Sequence, residues 1–252
     1  MFSIFNKKKK VVVDCFTDDR IAYELVPITK ASYNFPEWWK NLPDVSKIKD
    51  IDDATKRIGI NAPPNNMKRC WGFTELYKRG VMIRNWCDLM IEADSNHDSF
   101  KYVYSIGKSP APHPSSQYNN GFKNSFHIKL ESPWLFKEKE GIPFLMIGAF
   151  WNNDDRDFDV CPGIMQFNLS SSTNINLFFS KKDKKYNFTI ELGRPLAQLI
   201  PLRDDLDIEY KCHIINSEEY NKLNIIHKAS FNGIYSVNKF LKKEKSKGKC
   251  PF

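Results

Sequence analysis

Arg203 is followed by Asp204 and Asp205, and a guanidinium at the end of an apolar run can clamp a phosphate through two parallel N–H donors. The same triplet can instead close on itself, the arginine capping a strand end beside its acidic neighbours. Asn152-Asn153-Asp154-Asp155-Arg156-Asp157 offers carboxylate oxygens of the kind a divalent cation takes. It lacks the glycine and terminal glutamate of an EF-hand loop, and Arg156 repels a cation, so a turn between strands is the better account. Trp38 and Trp39 stand between Pro36 and Pro43. Paired indoles so bracketed serve as a stacking platform for a base, a sugar or a partner peptide, or else as an aromatic lid over a core.

The histidines read as bystanders. His97 and Asp98 are adjacent, so on a strand they point to opposite faces and cannot chelate together. His113 sits between two prolines and reads as solvated. In Phe126-His127-Ile128-Lys129-Leu130 the apolar residues share one face, which puts His127 on the surface of a strand. The eleven glycines are isolated and form neither a phosphate loop nor a nucleophile elbow. Six cysteines (15, 70, 87, 161, 212, 250) include no CxxC pair, so no zinc site is expected. The thiols are expected to be reduced, with Cys15 and Cys212 acting as small hydrophobes on strands. No catalytic residue, metal or cofactor is assigned from these patterns.

Charge sits at the two ends. Of the net +8, Lys7 to Lys10 supply four, and residues 239–252 carry six lysines against Glu244 alone, so the body is nearly neutral. Lys242, Lys243 and Lys245 are the candidates within that run for contact with a partner or, non-specifically, with nucleic acid. A solvated, solubilising end is the alternative. No apolar stretch is long enough for a membrane span, and Val11 to Val13 is too short for a signal-peptide core, so a soluble protein without a membrane partner is expected.

The elements that would position these groups are mostly strands, marked by β-branched and aromatic runs between Gly, Pro, Asn and Asp. They are expected at Val11–Phe16, Ile21–Leu25, Asp88–Ala93, Phe100–Ile106, Phe126–Leu130, Pro143–Phe150, Phe158–Phe167, Ile175–Phe179, Asn187–Glu191, Pro195–Pro201 and Asp207–His213. Helices are expected at Phe73–Arg79, ended by Gly80; from Ser217, as N-cap, onward; and from Ser230 to about Lys243. The pattern predicts an antiparallel β-sandwich or jelly roll over 11–216, with a long polar loop at 108–124, helices over 217–243, and basic tails at 1–10 and 244–252.

Two resemblances add to this reading. Gly193-Arg194-Pro195-Leu196-Ala197-Gln198-Leu199-Ile200-Pro201, with Pro162-Gly163-Ile164 upstream, resembles the trimeric dUTPase and dCTP-deaminase jelly roll. That likeness implies a nucleotide or small-ligand site near Gln166, Arg194, Gln198 and Arg203. Met165-Gln166 stand where the family carries its aspartate, so the family's general base is missing. More broadly, the order Phe35-Pro36-Glu37-Trp38-Trp39, Met67-Lys68-Arg69-Cys70, Gly80 to Leu89, Ser132-Pro133-Trp134-Leu135-Phe136 and Gly193 to Pro201 is similar to uncharacterised proteins of tailed phages, notably cyanophages, with bacterial relatives. That family has no activity to carry over, but together with the sandwich pattern and the lack of a complete catalytic constellation the resemblance leads to the expectation of a non-enzymatic structural or assembly component of a virion (head, decoration or neck), bound to other virion subunits or to itself. A dUTPase-like ligand-binding protein or enzyme is the alternative. So is an intracellular factor that grips a host protein through Trp38 and Trp39. The expected location is the virion or the host cytoplasm.

Overall fold

The computed structural model describes residues 8–44, 66–105, 110–113, 115–118, 121–182 and 184–230, with the side chains of 115, 116 and 225–230 left aside. The basic tails with Lys242, Lys243 and Lys245, and the helix expected after Ser230, lie outside the described residues.

Alternation drives the strands. In β1 (Lys9–Thr17), Val11, Val13 and Cys15 are buried while Lys10 and Val12 face outward. The other strands are β2 (Thr29–Lys30), β3 (Val81–Arg84), β4 (Leu89–Asp94), β5 (Ser99–Tyr104), β6 (Ala111–Pro112), β7 (Ser125–Lys137), β8 (Pro143–Gly148), β9 (Asp159–Val160), β10 (Gly163–Gln166), β11 (Ser172–Ser180), β12 (Tyr186–Ile190), β13 (Pro195–Pro201) and β14 (Leu206–Ile214). Helices α1 (Arg20–Leu25), α2 (Glu37–Lys40), α3 (Trp71–Tyr77) and α4 (Ser217–Ser230) are short.

The strands form a six-stranded sheet in the order β14-β1-β7-β11-β9, with β6 also on β7. A five-stranded sheet runs β10-β8-β13-β3-β2, and a three-stranded one β12-β4-β5. Every described pairing is antiparallel except β1 with β14, which run parallel from Lys9↔Leu206 to Thr17↔Ile214. One core cluster joins all three sheets: Val13, Ile128 and Leu177 from the first, Ile83, Phe144 and Leu199 from the second, Ile91 and Ile190 from the third. The chain is therefore a mainly-β, sandwich-like protein with short helices, one of them C-terminal, as its patterning predicts.

Several elements differ from the sequence reading. Ile21–Leu25 is helical, because Asp19 accepts from the Ile21 and Ala22 amides at 2.9 and 3.1 Å and so caps a first turn. Arg20 and Glu24 then pair at i,i+4. The run Phe158–Phe167 is two strands in different sheets, β9 and β10, broken at Cys161-Pro162 where proline has no N–H to give to a ladder. The cap of α4 is Asn216 and not Ser217: its Oδ1 accepts from the Glu219 amide at 2.9 Å. Helix α3 stops at Tyr77, and Gly80 follows two residues past the cap, at φ +68°. A Cβ there would lie 1.8 Å from the Leu199 carbonyl oxygen, so glycine lets β3 begin flush against β13.

Candidate functional site

The four residues of the dUTPase-like reading are placed apart in their contacts. Gln198 is 2% exposed, and its Nε2 donates to the Leu76 and Arg79 carbonyls at 2.8 and 2.7 Å. It thereby satisfies two acceptors at the C-terminal end of α3, a structural use of its amide. Arg194 donates to Asn153 Oδ1 at 2.7 Å and lies over the Phe158 ring. Arg203 grips Asp205 with two donors, at 2.7 and 2.5 Å, and its guanidinium holds that carboxyl down to about 2. Gln166 closes β10, where its carbonyl accepts from the amides of Leu169 and Ser170.

The acidic segment is a turn held by its asparagines. Asn152 Nδ2 donates to the Asn34 carbonyl and Asn153 Nδ2 to the Phe158 carbonyl. Among the described residues, no three His, Cys, Asp or Glu side chains converge as metal ligands. Trp38 and Trp39 are half-buried in an aromatic cluster around Phe73 and Tyr77. Their indole N–H groups donate to the carbonyls of Trp151, at 3.0 Å, and Met67, at 3.3 Å.

The most site-like feature lies on the outer face of the β7–β11 pair. His127 is only 7% exposed, which corrects the expectation of a surface histidine. Alternation places it on the face opposite the core, but the described residues between 110 and 122 cover that face: β6 pairs with β7, and the His113 amide donates to the His127 carbonyl. His113 is likewise half-buried, its Nδ1 2.5 Å from Gln117 Oε1, rather than freely solvated.

The His127 ring is held on three sides. It lies flat on Phe178, its cross-strand partner, with centroids 4.5 Å apart. Nε2 is 3.1 Å from Asn176 Oδ1, which makes Nε2 the protonated nitrogen. Nδ1 is then the acceptor for the Tyr118 hydroxyl, with which it is in close contact. Burial lowers the His127 pKa, with the nearby His113 and Lys129 acting in the same direction against the Asn176 hydrogen bond, so the imidazole is neutral at pH 7. Burial and the neighbouring Cys161 raise the Tyr118 pKa, so its phenol keeps its proton.

Beside this chain of groups opens a cavity of about 390 Å³. Phe100, Phe122 and Phe126 give it aromatic walls, while His113, Tyr118 and His127 contribute hydrogen-bonding groups. Lys181 also lines it, ion-paired with Asp98 and with its ammonium 5.0 Å from the Phe126 ring centroid. Phe122 stands at φ +54° and 63% exposed, an apolar ring held in the left-handed region at the edge of the cavity. Chemically, the site can stack a planar ring and hydrogen-bond its edge. A group bound beside Tyr118 would meet a donor or an acceptor according to how the phenol O–H turns.

Sequence reasoning passed over Tyr118, His127, Asn176 and Phe178 as a set. The available signal was the 108–124 loop, which is rich in proline and polar residues and whose aromatic residues, Tyr118 and Phe122, have no core strand of their own to serve. Comparison with family models, with curated proteins and with solved structures finds no match to this chain.

Proposed function

We propose that this protein is a binding module on a β-sandwich frame, and that the cavity at His127 takes a small planar ligand. The observation that carries the reading is the convergence of His113, Tyr118 and His127 with Phe100, Phe122 and Phe126 on one cavity of about 390 Å³. That volume and mixture suit a small-molecule site: mostly apolar walls with a few fixed polar groups. The test is thermal-shift screening against planar heterocycles, followed by calorimetry of any hit. A hit whose affinity falls at least tenfold in both His127→Ala and Tyr118→Phe supports the reading. A hit indifferent to both, or no hit across the set, overturns it.

A second reading is a non-enzymatic structural or assembly component of a phage particle, working through contacts with other subunits or its own copies. It draws support from the phage resemblance and from a groove of about 480 Å³ along β1, β14 and β2. Val12, Ile28, Tyr33 and Ile208 line this groove together with the charged residues Lys10, Lys30, Asp207 and Glu209. Tyr33 is 73% exposed, an anchor of the type that subunit contacts use. Mass spectrometry of density-banded particles tests it. The chain at a fixed copy number supports a virion role, and its absence from particles with abundance in the lysate overturns it.

A further inference from the structure

The parallel pair β1–β14 sets Cys15 directly opposite Cys212. Adjacent strands lie about 4.8 Å apart, inside the Cα separation a disulfide spans, and register partners point to the same face. Here that face is inward: Cys15 is fully buried in the core cluster, and Cys212 packs against the cluster while staying half-exposed. Each thiol donates to a backbone carbonyl, Cys15 to that of Val13 and Cys212 to that of Ile28.

We propose that Cys15 and Cys212 are a reversible dithiol–disulfide site whose co-reactant is a low-molecular-weight disulfide such as oxidised glutathione. Cys212 is the entry point because solvent reaches it and not Cys15. Its thiolate attacks one sulfur of the small disulfide, forms a mixed disulfide and releases one thiolate. Cys15 then gives up its proton and attacks the Cys212 sulfur, displacing the second thiolate, which takes that proton. The protein loses two electrons and the small disulfide gains them, leaving as two thiols.

The surroundings fit the order of events. The neighbouring Cys15 thiol, the backbone at Ile28 and the nearby His213 draw the Cys212 thiol down to about 7 against its burial, whereas burial pushes Cys15 well up. The Tyr210 hydroxyl is buried without a hydrogen-bond partner among the described residues and senses the charge on Cys15. The pair would tie the first described strand to the last, closing the only parallel ladder among the described pairings.

The test treats the folded, full-length protein with oxidised glutathione at pH 7.5, quenches with acid and maps peptides without reduction. A peptide joining Cys15 to Cys212 is expected, formed under native conditions and reversed by dithiothreitol. In Cys15→Ala the reaction should stop at glutathionylated Cys212. In Cys212→Ala, Cys15 should remain unmodified. Circular dichroism of both variants confirms that they fold, and the native wild-type peptide map decides alone if either does not. A joined peptide that appears only after denaturation overturns the proposal, as does a native wild type that keeps both thiols free or halts at the mixed disulfide.

Discussion

His127 and Phe178 face each other directly across the β7–β11 ladder, and their rings lie 4.5 Å apart at 3° from parallel. The stack fixes the imidazole so that both its nitrogens reach partners, Tyr118 and Asn176. It also buries a group whose ordinary pKa is about 6.5.

A pH dependence follows from that burial. The folded-state pKa of His127 is lowered, so between that value and 6.5 the unfolded chain binds more protons. Its contribution to stability is thus fully present above 6.5 and is lost as pH falls below it. Thermal denaturation from pH 7.5 to 5 should show a falling midpoint, and His127→Gln should flatten that slope. An unchanged slope in the variant would assign the acid sensitivity to other groups.

Gln198 and Arg203 separate a structural amide from an exposed ion pair. Gln198→Met keeps the side-chain length but leaves the Leu76 and Arg79 carbonyls without their donor, a loss of about 2 kcal/mol. Arg203→Ala removes only a solvent-exposed pair with Asp205 and should leave the urea midpoint where it is. Equal effects from the two substitutions would contradict these assignments.

Glycine gives a second matched pair. Gly80→Ala forces a Cβ against the Leu199 carbonyl at a left-handed φ and should cost at least about 3 kcal/mol. Gly72, in the first turn of α3, has nothing within 4 Å of a Cβ, so Gly72→Ala should stabilise by about 0.5 kcal/mol. Chemical denaturation of the two variants side by side reads both signs at once.

What could be read from the chain alone depended on whether the local pattern decided the outcome. Pro195–Pro201 is a strand to the residue, because prolines bracket a run that is apolar except for Gln198. The strand Val81–Arg84 escaped notice because Val81, Met82 and Ile83 are all buried, so it lacks the alternation that marks a half-solvated strand. Ile21–Leu25 carries β-branched and aromatic residues, yet the Asp19 cap outweighs their strand preference. For His127, alternation gave the correct face but could not say what covers it. The covering segment is a loop, and its path depends on pairing with residues far from it in sequence. The same holds for Cys15 and Cys212: each was legible as a strand residue, but their register required the fold.

The indoles at 38 and 39 test whether an aromatic pair is core or contact. Trp38 is tilted against Phe73 and Trp151, at 5.6 and 6.0 Å between centroids, and Trp39 stacks on Phe35 at 4.1 Å. Both N–H groups are spent on backbone carbonyls, so neither donor is held out for a partner. Trp38→Ala should therefore destabilise by about 2 to 3 kcal/mol, below the full cost of a buried tryptophan because the ring is only half-buried. Trp38→Phe, which keeps an aromatic body but drops the hydrogen bond to Trp151, should cost about half as much. Urea denaturation followed by tryptophan fluorescence measures both. If Trp38→Ala unfolds at the wild-type midpoint while the protein loses association with a partner or with its own copies, the pair belongs to an interface and not to the aromatic cluster around Phe73 and Tyr77.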